Sequence, residues 1–356
     1  MRIFFMTFFF YNVCNYKISE FLLTLRTDHK IFIMILIAPD KFKGTLTAKQ
    51  AASIIAKGLH PAFCLMAPMA DGGEGTASII GANSPWQQRN GYYVNPISKV
   101  AVIDSSAVIG LQPHNDVMHC SSAPLGLKVR EILKGGCETV VIGVGGTGTC
   151  DGGEGFLQAL DKYAIYKDKI IGLCDVQVPL LPPDSSKWRE CPSALMFAPQ
   201  KGATENDLEL LYQRLDQVRD AYSHGKSSPF DGAGGGLGFA IATAIGAKCY
   251  PGAEYVFQNY SIDWDKVSLV ITGEGCVDAQ TSQGKVADVV CRRAHDHGKP
   301  CVMIGGMVKE RYEMADLLIS TADFMPDMPL NEATAAKRLA AAVEYLKVWL
   351  IEHPVG

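Results

Sequence analysis

The stretch Asp-Gly-Gly-Glu-Gly occurs twice, at Asp71–Gly75 and Asp151–Gly155, each time between an apolar run and a stretch with helical spacing. Glycine turns let a ligand approach backbone N–H groups, and acids beside them offer anionic oxygens to a cation. A bare phosphate would be repelled there, so the pairing suits a phosphate bridged by a divalent metal. The plainer reading of each aspartate is a helix N-cap. The grouping of glycine, acid and lysine recurs in other loops: Lys41 and Lys43 in APDKFKG, Lys201 in PQKGA, Lys285 in SQGK. Phosphoryl transfer needs such a set. Backbone N–H groups hold phosphates, carboxylates hold Mg²⁺, ammonium groups neutralise the remaining charge, and one carboxylate takes the proton of the attacking alcohol.

Two other phosphate chemistries fit less well. GVGGTG, Gly143 to Gly148, spells a dinucleotide turn after an apolar run, with Asp168 further on. There, however, the acids Asp151 and Glu154 would face the pyrophosphate at the helix start. This leaves an NAD-binding oxidoreductase as a weaker alternative. His224-Gly225-Lys226-Ser227 ends like a P-loop, but Asp220 stands where its first glycine belongs. Cys150 as a nucleophile is also disfavoured, since an apolar, acidic setting raises a thiol pKa.

The elements that must position these loops alternate short β-rich runs with helical ones. Strands are expected at Ile35–Pro39, in a run ending near Met69, and at 139–145, 268–275, 301–306 and 317–321. A helix is expected over TLTAKQAASIIAKGL. The fold class that follows is α/β: an open, mainly parallel, flavodoxin- or Rossmann-like sheet, with a second α/β domain formed from insertions. The C-terminal ends of parallel strands line the ligand crevice of such sheets. Residues 34–84, 121–164 and 263–356 are assigned to the parallel domain. Residues 85–120, with short antiparallel-looking segments, and 165–262, with no simple βα period, are assigned to the second. Residues 1–33 read as an extension outside the fold, with Met34 the expected true start.

The chain has 356 residues, enough for two domains. A net charge of −4 and the lack of a Lys/Arg run argue against a nucleic-acid partner. No stretch approaches the ~18 apolar residues of a membrane helix, so no membrane partner is expected. Eleven scattered cysteines without a CxxC pair read as reduced thiols of a cytoplasmic protein.

In this order and at these intervals, APDKFKGTLTA, MADGGEGT, VIGVGGTGTCDGGEGFLQAL, CDVQVPL, FAPQKGAT, GAGGGLG and VITGEGCVDAQTSQGK make a chain that resembles the bacterial type I glycerate kinases. The resemblance runs from Met34 to nearly the end. It implies ATP-dependent phosphorylation of D-glycerate, at the 2-hydroxyl, with ATP and Mg²⁺ as cofactors and a homo-oligomer left open. On the matched positions, Asp175 or Asp278 is expected as the base, with Lys43 and Lys285 also catalytic. Asp40, Gly72, Gly73, Gly145, Gly146, Gly152, Gly153, Lys201 and Gly273 are expected at the nucleotide, and Asp71, Glu74, Asp151 and Glu274 as metal ligands. Cys150, Cys276 and Val178 depart from the family's usual Asn, Arg and Asn. A divergent member that binds an acidic metabolite or nucleotide without catalysis is therefore the alternative.

Overall fold

A computed structural model of the chain describes residues 34–82, 84–282 and 284–353. The extension expected over residues 1–33 lies outside the described residues. In chain order the strands are β1 (Met34–Ile37), β2 (Phe63–Met66), β3 (Gln87–Arg89), β4 (Tyr92–Asn95), β5 (Val100–Asp104) and β6 (Thr139–Gly143). They continue with β7 (Ile170–Cys174), β8 (Lys248–Pro251), β9 (Val267–Val277), β10 (Cys301–Val308) and β11 (Leu317–Ser320). They form an open five-stranded sheet, β11-β10-β9-β1-β2, and an open six-stranded sheet, β3-β4-β5-β6-β7-β8.

The described residues pack as two compact units, one of residues 34–69 with 260–353 and the other Ala70–Asn259. In the first unit every strand pair is parallel. β1 is apolar throughout and buried at each position, as a strand covered on both faces should be. One face is covered by helix Ala48–Gly58, which buries Ala51, Ala52 and Ile55, and by helix Glu332–Glu352, which buries Leu339, Val343 and Leu346. Each large aliphatic side chain so buried contributes about 1.5–3 kcal/mol. Thr47 caps the first of these helices, accepting from the N–H of Gln50 at 3.2 Å.

In the second unit β3, β4 and β5 are antiparallel neighbours, and β5 to β8 run parallel. This differs from the expected division. Residues 121–164 and the end of 34–84 from Ala70 on, expected in the parallel domain with the first sheet, lie in the second unit, where β6 pairs with β5 and β7. An apolar run declares a strand but not its neighbour. Residues 165–262, read as lacking a βα period, contain β7 and the 18-residue helix Glu205–Tyr222. That helix buries Leu208, Leu211, Leu215 and Val218, a single stripe at helical spacing, against Leu180, Leu195 and Phe239. Among the described residues no helix is long and apolar enough to cross a membrane.

Candidate functional site

The expected site residues fall into two groups, one in each unit. In the second unit, the first glycine turn follows Ala70, where the Asp71 carboxylate accepts from the N–H of Gly73 at 2.9 Å. Thr76 closes the turn, accepting from the Gly72 N–H at 3.1 Å and donating to the Gly73 carbonyl at 2.7 Å. Asp104, at the end of β5, then caps the short helix Thr76–Ile80, taking the N–H groups of Gly75 and Ala77 at 2.9 and 2.8 Å. Asp104 was not singled out in the sequence. Its signal was an aspartate ending the alternating run VAVID, just before Ser-Ser.

The loop after β6 docks on this turn: the Gly145 N–H donates to the Gly72 carbonyl at 3.0 Å. Gly145 allows no side chain, since a Cβ there would fall 2.6 Å from Asp175 Oδ2 and 3.0 Å from Gly73 Cα. Gly146 is exposed beside it with a φ of 78°. Asp71, Gly72, Gly73, Glu74, Gly145, Gly146 and Asp175, the last directly after β7, are thus brought together at three loops. Asp71 and Asp175 are half-buried and Glu74 is exposed.

The second Asp-Gly-Gly-Glu-Gly repeats the same local turn, with the Asp151 carboxylate accepting from the Gly153 N–H at 3.0 Å. Its surroundings are different. Asp151 is 1% exposed and also accepts from the N–H and hydroxyl of Ser122, each at 2.8 Å, and from the Gly155 N–H at 3.3 Å. Gly152 and Gly153 are buried. A Cβ on Gly152 would lie 2.8 Å from Val218 Cγ1, and one on Gly153 2.5 Å from Ala240 Cβ. The glycines of GAGGGLG face the same stretch: Cβ atoms on Gly235 and Gly236 would meet Thr149 O at 2.0 Å and Gly152 Cα at 2.4 Å. Gly152 and Gly153, expected at the nucleotide, and Asp151, expected at the metal, thus sit where two backbones pack in contact.

Lys201 is likewise not a surface cation. It is 6% exposed, and its ammonium donates to Thr147 Oγ1 at 3.0 Å and to the Thr149 carbonyl at 2.8 Å. Burial lowers its pKa, a tendency opposed by the Asp175 and Asp151 charges. The Asn115 amide bridges the carbonyls of Gly148 and Lys201 at 2.8 and 2.7 Å. Both residues brace the glycine loop from beneath, and Asn115 carried no motif by which to find it. Cys150 is fully buried with a raised pKa, chiefly from burial, which suits a packing residue.

In the first unit the group forms at the ends of β1 and β9. Asp40 follows β1; its N–H donates to the Gly273 carbonyl at 2.8 Å, and its carboxylate accepts from the Lys41 N–H at 2.7 Å. Lys43 is exposed in the same loop, and a Cβ on Gly275 would fall 2.9 Å from its backbone nitrogen. Glu274 is 6% exposed and accepts the Thr281 hydroxyl at 2.7 Å. That hydroxyl accepts from the Asp278 N–H at 3.1 Å, so Thr281 links Glu274 to the turn bearing Asp278. The Asp278 carboxylate accepts from the Gln280 N–H at 3.0 Å, and Lys285 Nζ lies 3.9 Å from it.

Mg²⁺ takes one or two carboxylates and completes its shell with water and phosphate oxygens. Among the described residues no three His, Cys, Asp or Glu side chains cluster to hold a metal. The half-buried Asp71 and exposed Glu74, one glycine turn apart, fit such a sparse donor set. Asp151 does not, because its oxygens accept four protein donors.

The glycerate kinase family profile matches residues 35–169 and 162–347. Over 336 residues the chain is 30% identical to the glycerate kinase of Halalkalibacterium halodurans, an alignment covering 78% of this chain and 87% of the relative. It is 28% identical over 333 residues to the glycerate 2-kinase of Escherichia coli, covering 78% of this chain and 86% of the relative. A crystal structure from Salmonella typhimurium LT2, provisionally designated glycerate kinase 2, superposes with a TM-score of 0.66 at 26% identity. That match covers 89% of this chain and 98% of the other.

Proposed function

This chain belongs to the glycerate kinase family, and from that premise we propose that it transfers the γ-phosphoryl group of ATP to the 2-hydroxyl of D-glycerate. The observation that carries the assignment of roles is the contact of Asp175 with Gly145. The carboxylate lies where a side chain on Gly145 would stand, 2.6 Å from the place of its Cβ, so only glycine leaves it room against the loop.

Asp175 is the base. It takes the proton of the attacking hydroxyl as the new P–O bond forms and the bond to the β-phosphate oxygen breaks, leaving ADP. Asp278 is the alternative base; Lys285 Nζ lies 3.9 Å from its carboxylate, which supports instead a role in which Asp278 orients that ammonium as a point charge for phosphate. Lys43, exposed at a strand end, is a second point charge for phosphate. The exposed Gly146 offers its N–H to a phosphate oxygen, and Lys201 holds the following stretch in shape through Thr147 and Thr149. Asp71 and Glu74 would hold Mg²⁺; when bound, the metal offsets the charge of the phosphate oxygens. The free cysteines suit a reducing, cytoplasmic setting.

The test is product analysis by phosphorus NMR after incubation with ATP, Mg²⁺ and D-glycerate. The reading predicts 2-phosphoglycerate and no product when Mg²⁺ is withheld. A 3-phosphoglycerate signal would contradict the 2-hydroxyl, and full turnover in chelator would contradict the metal.

A further inference from the structure

Asp288 is a buried acid that none of the assigned roles uses. It sits in the first turn of helix Val286–Asp296, is 2% exposed, and gathers donors from both sides. One carboxylate oxygen accepts from the Gly284 N–H at 3.1 Å. The other accepts from Arg292 Nε at 2.9 Å and from the Tyr312 hydroxyl at 2.5 Å. Burial and the Asp288 contact both push the Tyr312 phenol up, so it stays a donor.

An acid in the first turn of a helix ordinarily caps it at the surface. This one is enclosed, and its N-terminal contact is to the residue just before Lys285, the N-cap of the same helix. Gly284 has a φ of 83°, so the chain turns sharply there, and the Asp288 bond anchors the Gly284 N–H one residue ahead of Lys285. A lysine side chain is long and flexible, and its reach is set by where its backbone is anchored. Tyr312, from the loop after β10, and Arg292, one helical turn on, hold the carboxylate from the opposite side.

We propose that Asp288, clamped by Tyr312 and Arg292, is a positioning residue that fixes Lys285 beside Asp278 for phosphoryl transfer. The proposal rests on the role given to Lys285 above. It makes Asp288 act only through that lysine, and a double-mutant cycle isolates that dependence.

The experiment measures kcat and KM for ATP and D-glycerate in the wild type, Asp288→Asn, Lys285→Ala and the double variant, on the full chain below its melting temperature. Asp288→Asn is expected to lower kcat by roughly tenfold in the wild-type background and by less than about twofold when Lys285 is already Ala. Tyr312→Phe, which removes one hydrogen bond, should follow the same pattern at about threefold, and it carries the test if Asp288→Asn does not fold. Equal losses in both backgrounds would overturn the proposal, as would wild-type kcat in Asp288→Asn or Tyr312→Phe with a crippled Lys285→Ala. Wild-type turnover of Lys285→Ala would instead contradict the role of Lys285, and the positioning with it. A wild-type chain that releases no ADP with D-glycerate would contradict the proposed function itself.

Discussion

Asp151 takes both the backbone N–H and the hydroxyl of Ser122, each at 2.8 Å, and so ties the second glycine turn to the start of helix Ala123–Lys134. An asparagine there keeps one acceptor oxygen and turns an amide donor toward another donor. Asp151→Asn should therefore lower stability by about 1–3 kcal/mol, read from urea unfolding. Turnover per folded molecule should fall by less than about threefold. A tenfold fall in turnover at unchanged stability would return Asp151 to the metal.

Gly145→Ala should act through Asp175. The added methyl would fall 2.6 Å from Asp175 Oδ2, and the backbone at Gly73, 3.0 Å away on the other side, leaves it no room. The carboxylate must swing off, and kcat should drop by at least roughly tenfold, about 1.4 kcal/mol in the barrier. Gly136→Ala is the control: its φ of 99° strains an alanine, but nothing lies within 4 Å. It should lower the melting temperature while kcat holds. Equal kcat losses in the two variants would show that the loss at Gly145 does not come from its approach to Asp175.

Lys201→Met removes the cross-link between Thr147 and Thr149 while filling nearly the same volume. The loop loses two donors, so stability should fall by about 1–3 kcal/mol and KM for ATP should rise as the loop loosens. If KM rises with no change in unfolding, Lys201 reaches the nucleotide directly and its burial beneath the loop is not its working position.

Alkaline pH should unfold the first unit through groups whose ionisation burial opposes. Burial pushes the Cys64 thiol up from 9.0 to about 11 and the Tyr260 phenol up from 10.0 to about 12. Both folded pKa values exceed their unfolded ones, so this stability is complete below pH 9 and is lost as pH climbs from 9 to 12. The Tyr260 hydroxyl also donates to the Pro68 carbonyl at 2.6 Å. Tyr260→Phe should cost about 1 kcal/mol at pH 7 and flatten the loss above pH 10. An unchanged slope would mean the phenol does not titrate differently in the folded chain.

What could be read in advance depended on how local the signal was. β1 announces itself as an unbroken apolar run, β9 and β10 by apolar stretches that run into glycines, and Thr47 with Gln50 marks a helix start within four residues. The cluster of Asp71, Gly145 and Asp175 was approached through glycine turns beside acids, a pattern visible in a few residues. Asp104, Asn115 and Ser122 were missed because their partners stand 27 to 86 residues away, a distance no short motif spans. The helix Glu205–Tyr222 was legible and overlooked. Thr204 and Asp207 form a capping box ahead of its leucine stripe, but the surrounding Pro and Gly obscured the period. Lys201 was misplaced for a different reason: lysine is expected at the surface, and only packing reveals one buried under a loop.

ADP release from the full chain in the presence of ATP, Mg²⁺ and D-glycerate, compared between the wild type and Asp175→Asn, decides whether Asp175 is the base of a glycerate kinase. ADP release should require D-glycerate and match the phosphoglycerate formed mole for mole, with kcat lowered at least roughly a hundredfold in Asp175→Asn, in the range of a lost general base. ADP release that ignores D-glycerate, or an Asp175→Asn variant that turns over like the wild type, would contradict that assignment.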